Sequence, residues 1–121
     1  MSSAQTHAYL LVAIGGAIGS VLRFHAATLF GARPLTTFTV NITGAFLIGV
    51  LAAFTGDARI RLLLGTGLLG GYTTFSAMQL EAFTAARGKG LPLEVFAILF
   101  GSAAVGLVAC WFGHTLGARL R

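Results

Sequence analysis

Four apolar runs divide the chain, and short polar or glycine-containing segments separate them. The runs cover about residues 8–30, 36–55, 60–86 and 92–117. Each is long enough for an α-helix to cross a bilayer, which takes about 20 apolar residues. A chain this short cannot close a membrane barrel by itself, so every run should be helical. The pattern predicts an all-α integral membrane protein, with one four-helix domain over residues 1–121.

The third run departs from a regular helical pattern. Residues 67–78 read GLLGGYTTFSAM, in which adjacent glycines are followed by two threonines, and both residue types are poor helix formers. We therefore expect the helix to break near Gly70–Thr74, at mid-membrane. Non-helical backbone at that depth is tolerated where it is buried or lines a polar site. Close helix packing through small residues is the alternative explanation.

The composition supports a membrane protein. Of 121 residues, 56% are apolar and 9% are charged, whereas about 25% are charged in an average soluble domain. Eight Lys and Arg against three Asp and Glu give a net charge of +5. Because most cations lie between the apolar runs, we interpret them as loop charge beside a membrane and expect no nucleic-acid partner. The expected location is the plasma membrane or the bacterial inner membrane, as a multi-pass protein in contact with lipid.

The loop cations give almost no preferred orientation. Four crossings place both termini on one side. That side holds Arg59, Arg61, Arg119 and Arg121, and the other holds Arg33, Arg87 and Lys89, with Arg23 able to make the count equal. Such a balance is what a dual-topology protein needs, because its copies must insert either way up. It favours an antiparallel dimer, and chance in a small protein is the alternative.

Three polar residues inside the runs are candidates for function, because polar groups in a membrane are costly. Arg23 is either a snorkelling anchor or a functional cation. Asn41 is either a hydrogen bond between helices or a donor to a ligand. Glu81 either faces a water-filled vestibule or pairs with a cation such as Arg87.

The distribution of acids favours an anion as the ligand. The first two runs contain no carboxylate, and their polar groups are mainly hydrogen-bond donors. A small proton-coupled exporter of drugs or cations needs a membrane-embedded carboxylate, for which Glu81 is the one candidate. Phe75 follows the predicted break, and the positive edge of its ring can solvate a small anion.

Three segments resemble the signature segments of the CrcB/Fluc fluoride channels. They are GGAIGSVLRF at 15–24, TFTVNITGAFLIG at 37–49 and GLLGGYTTFSAM at 67–78. The resemblance extends over all four helices. It implies a dual-topology dimer with two antiparallel pores, through which fluoride leaves the cytoplasm passively, and it implies no enzymatic activity.

The resemblance also implies roles for individual residues. The backbone carbonyls of Gly70 and Thr73 would hold a structural Na⁺ on the dimer axis. Asn41 would donate to fluoride, and Phe75 would present its ring edge to the ion. The implied fluoride path comprises Arg23, Thr37, Asn41, Thr74, Phe75, Ser76, Met78, Glu81 and Ser102.

The chain departs from the family pattern at three places. Met78 stands where many members have a second Phe, and Ala77 stands where a hydroxyl residue is frequent. The fourth run offers Ser102 as its only hydroxyl residue before Thr115. The chain is expected to form a homodimer that conducts by a modified route. A heterodimer, in which a partner supplies the missing groups and this chain does not conduct alone, is the alternative.

Overall fold

The computed structural model describes residues 1–88 and 92–121. The first helix, α1, is Ser3–Phe30 and begins five residues earlier than predicted. A capping box explains the difference. The amide of Gln5 donates to the Ser2 hydroxyl at 3.2 Å, and the Ser2 amide donates to the Gln5 side chain at 2.8 Å. These two bonds satisfy donors that are free at a helix start, so helical structure extends beyond the apolar run.

The second helix, α2, is Pro34–Phe54. Proline suits the first position of a helix because it has no amide proton to lose there. At the other end of α2, the Arg61 guanidinium donates to the carbonyls of Thr55 and Ala52, both at 2.9 Å. A cation at this end also complements the negative end of the helix dipole.

The third run is divided into two helices. The first, α3, comprises Ala58–Ile60, the π-helical turn region Arg61–Leu69 and Gly70–Tyr72. Thr73 and Thr74 are both extended, with ψ of 156° and 114°, and the next helix, α4, is Phe75–Arg87. The predicted interruption is therefore present, but it lies only at the two threonines, and Gly70 and Gly71 are helical.

The last helix, α5, consists of Pro92–Phe96, the π-helical segment Ala97–Gly101 and Ser102–Leu120. It ends three residues later than predicted. Lys89, which enters the charge count above, lies outside the described residues. Within the described ranges, three helices are long and apolar enough to cross a membrane: Ser3–Phe30, Pro34–Phe54 and Ala97–Leu120.

Glycines bring the helices together in two pairs, α1 with α3 and α2 with α5. A Cβ added at Gly67 of α3 would lie 2.9 Å from the Cα of Gly15 and 3.0 Å from the carbonyl oxygen of Val12. One added at Gly117 of α5 would lie 3.0 Å from the Cα of Val50 in α2. Packing through small residues and a helix break are therefore both present, so the two explanations of the glycine-rich pattern are not exclusive.

Candidate functional site

The break between α3 and α4 is held by the side chain of Asn41 in α2. The Asn41 Nδ2 donates to the carbonyl of Thr74 at 3.0 Å, and the Thr74 amide donates to Asn41 Oδ1 at 2.8 Å. In an uninterrupted helix, the Thr74 amide would instead donate to the carbonyl of Gly70. The side chain of Asn41 thus replaces helical partners, and it makes the helix-to-helix hydrogen bonds that were one interpretation of this residue.

Thr74 also caps the start of α4. Its hydroxyl accepts a hydrogen bond from the Ala77 amide at 3.2 Å, which is the usual N-cap arrangement, and it lies 3.3 Å from the Ser76 hydroxyl. The start of α4 therefore lies at the break. The amides at this end of a helix carry partial positive charge, which favours an anion.

An open cavity of about 430 Å³, here called the first cavity, lies against the break. Most of its lining is apolar. The structure brings together here most of the residues predicted for the fluoride path and both residues predicted for Na⁺: Asn41, Gly70, Thr73, Thr74, Phe75, Met78 and Ser102. Phe75 is 67% exposed, whereas Met78 is 8% exposed. Phe75 therefore has a free face for a further contact, and Met78 does not.

The second cavity, of about 360 Å³, also borders Thr74. It contains three of the other four predicted path residues, Arg23, Thr37 and Glu81. The fourth, Ser76, is not among the residues that line either cavity, and Thr74 lines both. The Thr37 hydroxyl donates to Glu81 Oε1 at 2.5 Å, and both groups are half-buried. The Arg87 guanidinium, which was one suggested partner of Glu81, lies over the Phe83 ring, 5.7 Å from its centre.

Arg23 closes the end of α3. Its Nε donates to the carbonyl of Gly71 at 3.3 Å, and the two residues are 48 positions apart in the sequence. In a continuous helix this carbonyl would accept from the amide of Phe75, which the break removes. A positive charge at the C-terminal end of α3 is also favourable for the helix dipole. Arg23 is half-buried and lines the second cavity. The snorkelling interpretation stays a prediction.

The backbone at the break suits a small monovalent cation. In a continuous helix, the Thr74 amide would donate to the Gly70 carbonyl and the Ala77 amide to the Thr73 carbonyl. Here the Thr74 amide donates to Asn41 instead, and the Ala77 amide donates to the Thr74 hydroxyl. Both carbonyl oxygens thus lose their helical donors at the same place. Carbonyl oxygens are hard ligands, which are the type that alkali and other hard cations prefer. The residues present therefore fit Na⁺.

Two contacts at the site were not expected from the sequence. The hydroxyls of Tyr72 and Thr43 lie 3.2 Å apart and join the end of α3 to α2. Ser20 of α1 lines the second cavity. The threonine before Phe75 gave a usable signal for an N-cap, whereas nothing local marks Tyr72 or Ser20 as neighbours of the site.

The comparison with known proteins decides the family. The profile of the family described as "CrcB-like protein, Camphor Resistance (CrcB)" matches residues 10–114. The chain belongs to the CrcB family. Because three of its helices are apolar and long enough to cross a membrane, this family member is a multi-pass membrane protein.

Relatives from several bacteria are named as fluoride-specific ion channels. A Methylobacillus flagellatus protein named fluoride-specific ion channel FluC is 44% identical over 88% of this chain and 91% of its own length. A Thermus thermophilus protein of the same name is 41% identical over 93% of this chain and 96% of its own length. A Bacillus cereus protein named fluoride-specific ion channel FluC 2 is 38% identical over 89% of this chain and 95% of its own length. The similarity thus extends over nearly the whole of each protein.

Proposed function

We propose that this chain is a fluoride-selective channel that lets fluoride leave the cytoplasm passively and so protects the cell from fluoride toxicity. It is a transport protein and not an enzyme. The relatives' shared name supports the identity of the ion. The structural observation that supports it best is the break at Thr73 and Thr74. There, hydrogen-bond donors from α1, α2 and α5 line two cavities that meet at one residue.

The chemistry of the two cavities suits a small anion. Fluoride is strongly hydrated, so a path through the membrane must replace its water with other donors and still release it. In the second cavity, Arg23 supplies positive charge, and the Thr37 hydroxyl keeps Glu81 engaged as an acceptor. Fluoride then passes Thr74, where the positive end of α4 and the hydroxyls of Thr74 and Ser76 favour an anion.

The first cavity completes the path. Asn41 has one Nδ2 proton beyond the one given to Thr74, and Ser102 contributes a hydroxyl from α5. Phe75 offers the positive edge of its ring, and Met78 replaces a second ring with a thioether, which is polarisable but has no such edge. The first cavity thus offers the ion fewer positively polarised groups than a site with two aromatic rings would. We therefore expect the ion to bind more weakly in the first cavity than it would at such a site.

The functional unit is proposed to be an antiparallel homodimer in which each copy is a single domain with four crossings. In this proposal α3 and α4 together form the third crossing, a helix that is broken at Thr73 and Thr74. The near-equal division of cations between the two faces supports dual topology. The exposed face of Phe75 and the open first cavity support a partner at this surface. Residues of the second copy would complete the wall of the path. A heterodimer is the alternative, because Met78 and Ala77 depart from the family pattern.

Structural Na⁺ on the dimer axis is part of the proposal. The carbonyls of Gly70 and Thr73 would hold it, since both have lost their helical donors at the break. A fixed cation there would supply positive charge to the interior of the dimer. The chain itself contributes the carbonyl ligands and the geometry of the break.

Fluoride efflux from liposomes containing only this chain tests the function, measured with a fluoride-selective electrode. Wild-type protein should release fluoride, and Asn41→Asp, which adds an acid to the path, should abolish the release while the dimer persists in size-exclusion chromatography. Efflux at the wild-type rate from Asn41→Asp would show that Asn41 does not line the path.

The same liposomes separate the alternatives. No flux of any ion from this chain alone would indicate a subunit that needs a different partner. Proton-coupled dye transport that Glu81→Gln abolishes would indicate an exporter, and fluoride efflux without such transport contradicts that alternative.

A further inference from the structure

The two hydrogen bonds of Asn41 converge on the backbone of a single residue. A peptide amide can only donate and a carbonyl can only accept, so both ends of the carboxamide are assigned by their partners on Thr74. The two residues are 33 positions apart, which ties α2 to the break. We infer that Asn41 is a positioning residue, whose clamp on Thr74 holds the break open and leaves the carbonyls of Gly70 and Thr73 for a cation.

The number of donors at the break explains why the clamp has this effect. If Asn41 released the Thr74 amide, that amide would have a helical acceptor available four residues earlier, at Gly70. With the clamp closed, Thr74 keeps φ at −148° and ψ at 114°, which is extended backbone. Only in this conformation can its hydroxyl cap α4 and take the Ala77 amide away from Thr73. One side chain thus leaves two carbonyls without their helical donors.

The clamp also limits what else Asn41 can do. A carboxamide has two N–H donors and one carbonyl oxygen, and Thr74 takes one donor and that oxygen. Buried backbone groups without partners are destabilising, so the bonds to Thr74 are expected to persist while an ion passes. Asn41 therefore affects transport partly through the cation site, because it holds the carbonyls of Gly70 and Thr73 free. A residue that contacts only the permeating fluoride would not have this second effect.

The inference rests on the proposed function in one respect, that the cation is Na⁺. It does not assume that the chain transports fluoride. Its test therefore uses two measurements that need no flux. The first is amide hydrogen exchange over residues 73–78. The second is the Na⁺ concentration that gives half of the maximal thermal protection, with N-methylglucamine as the replacement cation.

Asn41→Ala removes both bonds, and Asn41→Asp keeps the acceptor for the Thr74 amide but loses the donor to its carbonyl. Tyr72→Phe is the matched control, because it removes one hydrogen bond between α2 and α3 next to the break and leaves Thr74 untouched. Asn41→Ala should speed exchange of the Thr74 amide about tenfold or more, since one buried hydrogen bond is lost. It should also raise the Na⁺ midpoint by a similar factor, and Tyr72→Phe should change neither.

The Na⁺ midpoint separates positioning from simple stabilisation. A residue that only stabilises the fold lowers the melting temperature at every Na⁺ concentration and leaves the midpoint in place. An unchanged midpoint in Asn41→Ala, or wild-type protein without any response to Na⁺, overturns the inference, even if fluoride efflux is normal. A raised midpoint supports it, even if wild-type liposomes release no fluoride. Asn41→Asp keeps the acceptor for the Thr74 amide, so exchange of that amide should change less in it than in Asn41→Ala. If Asn41→Ala does not assemble, Asn41→Leu decides, since its side chain is close in size to Asn, also lacks both bonds and should raise the midpoint.

Discussion

Replacing Gly67 by alanine should force α1 and α3 apart. The added Cβ would lie 2.9 Å from the Cα of Gly15 and 3.2 Å from the amide nitrogen of Gly16, and both are backbone atoms that cannot rotate away. Carbon atoms pack best at about 3.5 Å or more, so the helices must separate by roughly 0.6 Å. Overpacking of this kind typically costs about 1–3 kcal/mol.

Gly16→Ala is the matched control, since it makes the same substitution at the same pair of helices. Its Cβ would meet only the Gly67 carbonyl oxygen, at 3.9 Å, which is an ordinary contact. Alanine favours a helix over glycine by about 1 kcal/mol, and this gain is common to both variants. The difference between the two variants therefore isolates the overpacking cost.

The assay is the fraction of protein that stays monodisperse in size-exclusion chromatography after heating. Gly67→Ala should lose its folded form several degrees below Gly16→Ala, because about 1 kcal/mol shifts the melting temperature by roughly 2–8 °C in proteins of this size range. Equal melting of the two variants, or greater stability of Gly67→Ala, would refute the close approach of α1 and α3 at Gly67.

Two further predictions concern hydrogen bonds that join distant segments. Thr37→Val removes the donor to the half-buried Glu81 carboxylate, so it should destabilise the protein by about 1–3 kcal/mol and slow fluoride efflux. Thr39→Val should do neither, because the Thr39 hydroxyl donates only within its own helix. Equal effects of the two variants would contradict a specific contact between Thr37 and Glu81. Arg61→Ala removes two bonds to the end of α2 and should lower the melting temperature more than Arg59→Ala, which removes a neighbouring charge but neither bond.

The helices and the existence of the break follow from local properties of the sequence. Apolar runs of bilayer length are helical because the membrane offers no other partners for backbone groups. Adjacent glycines followed by threonines marked the interrupted region in advance. The exact position of the break was less predictable, because Gly70 is helical even though glycine disfavours a helix. Long-range contacts decided it, since Asn41 takes the Thr74 amide.

The sequence by itself thus determined the apolar helices, the supply of donors and the scarcity of acids. Only the tertiary structure decided the partners of those donors: Thr74 for Asn41, Glu81 for Thr37 and Gly71 for Arg23. The partners lie 33, 44 and 48 positions apart, so no local pattern specifies them. The physical reason is that the break frees the backbone groups of Gly71 and Thr74 in the protein interior. These groups, like the half-buried Glu81 carboxylate, bond to the polar side chains that the packing of α1 and α2 brings to them.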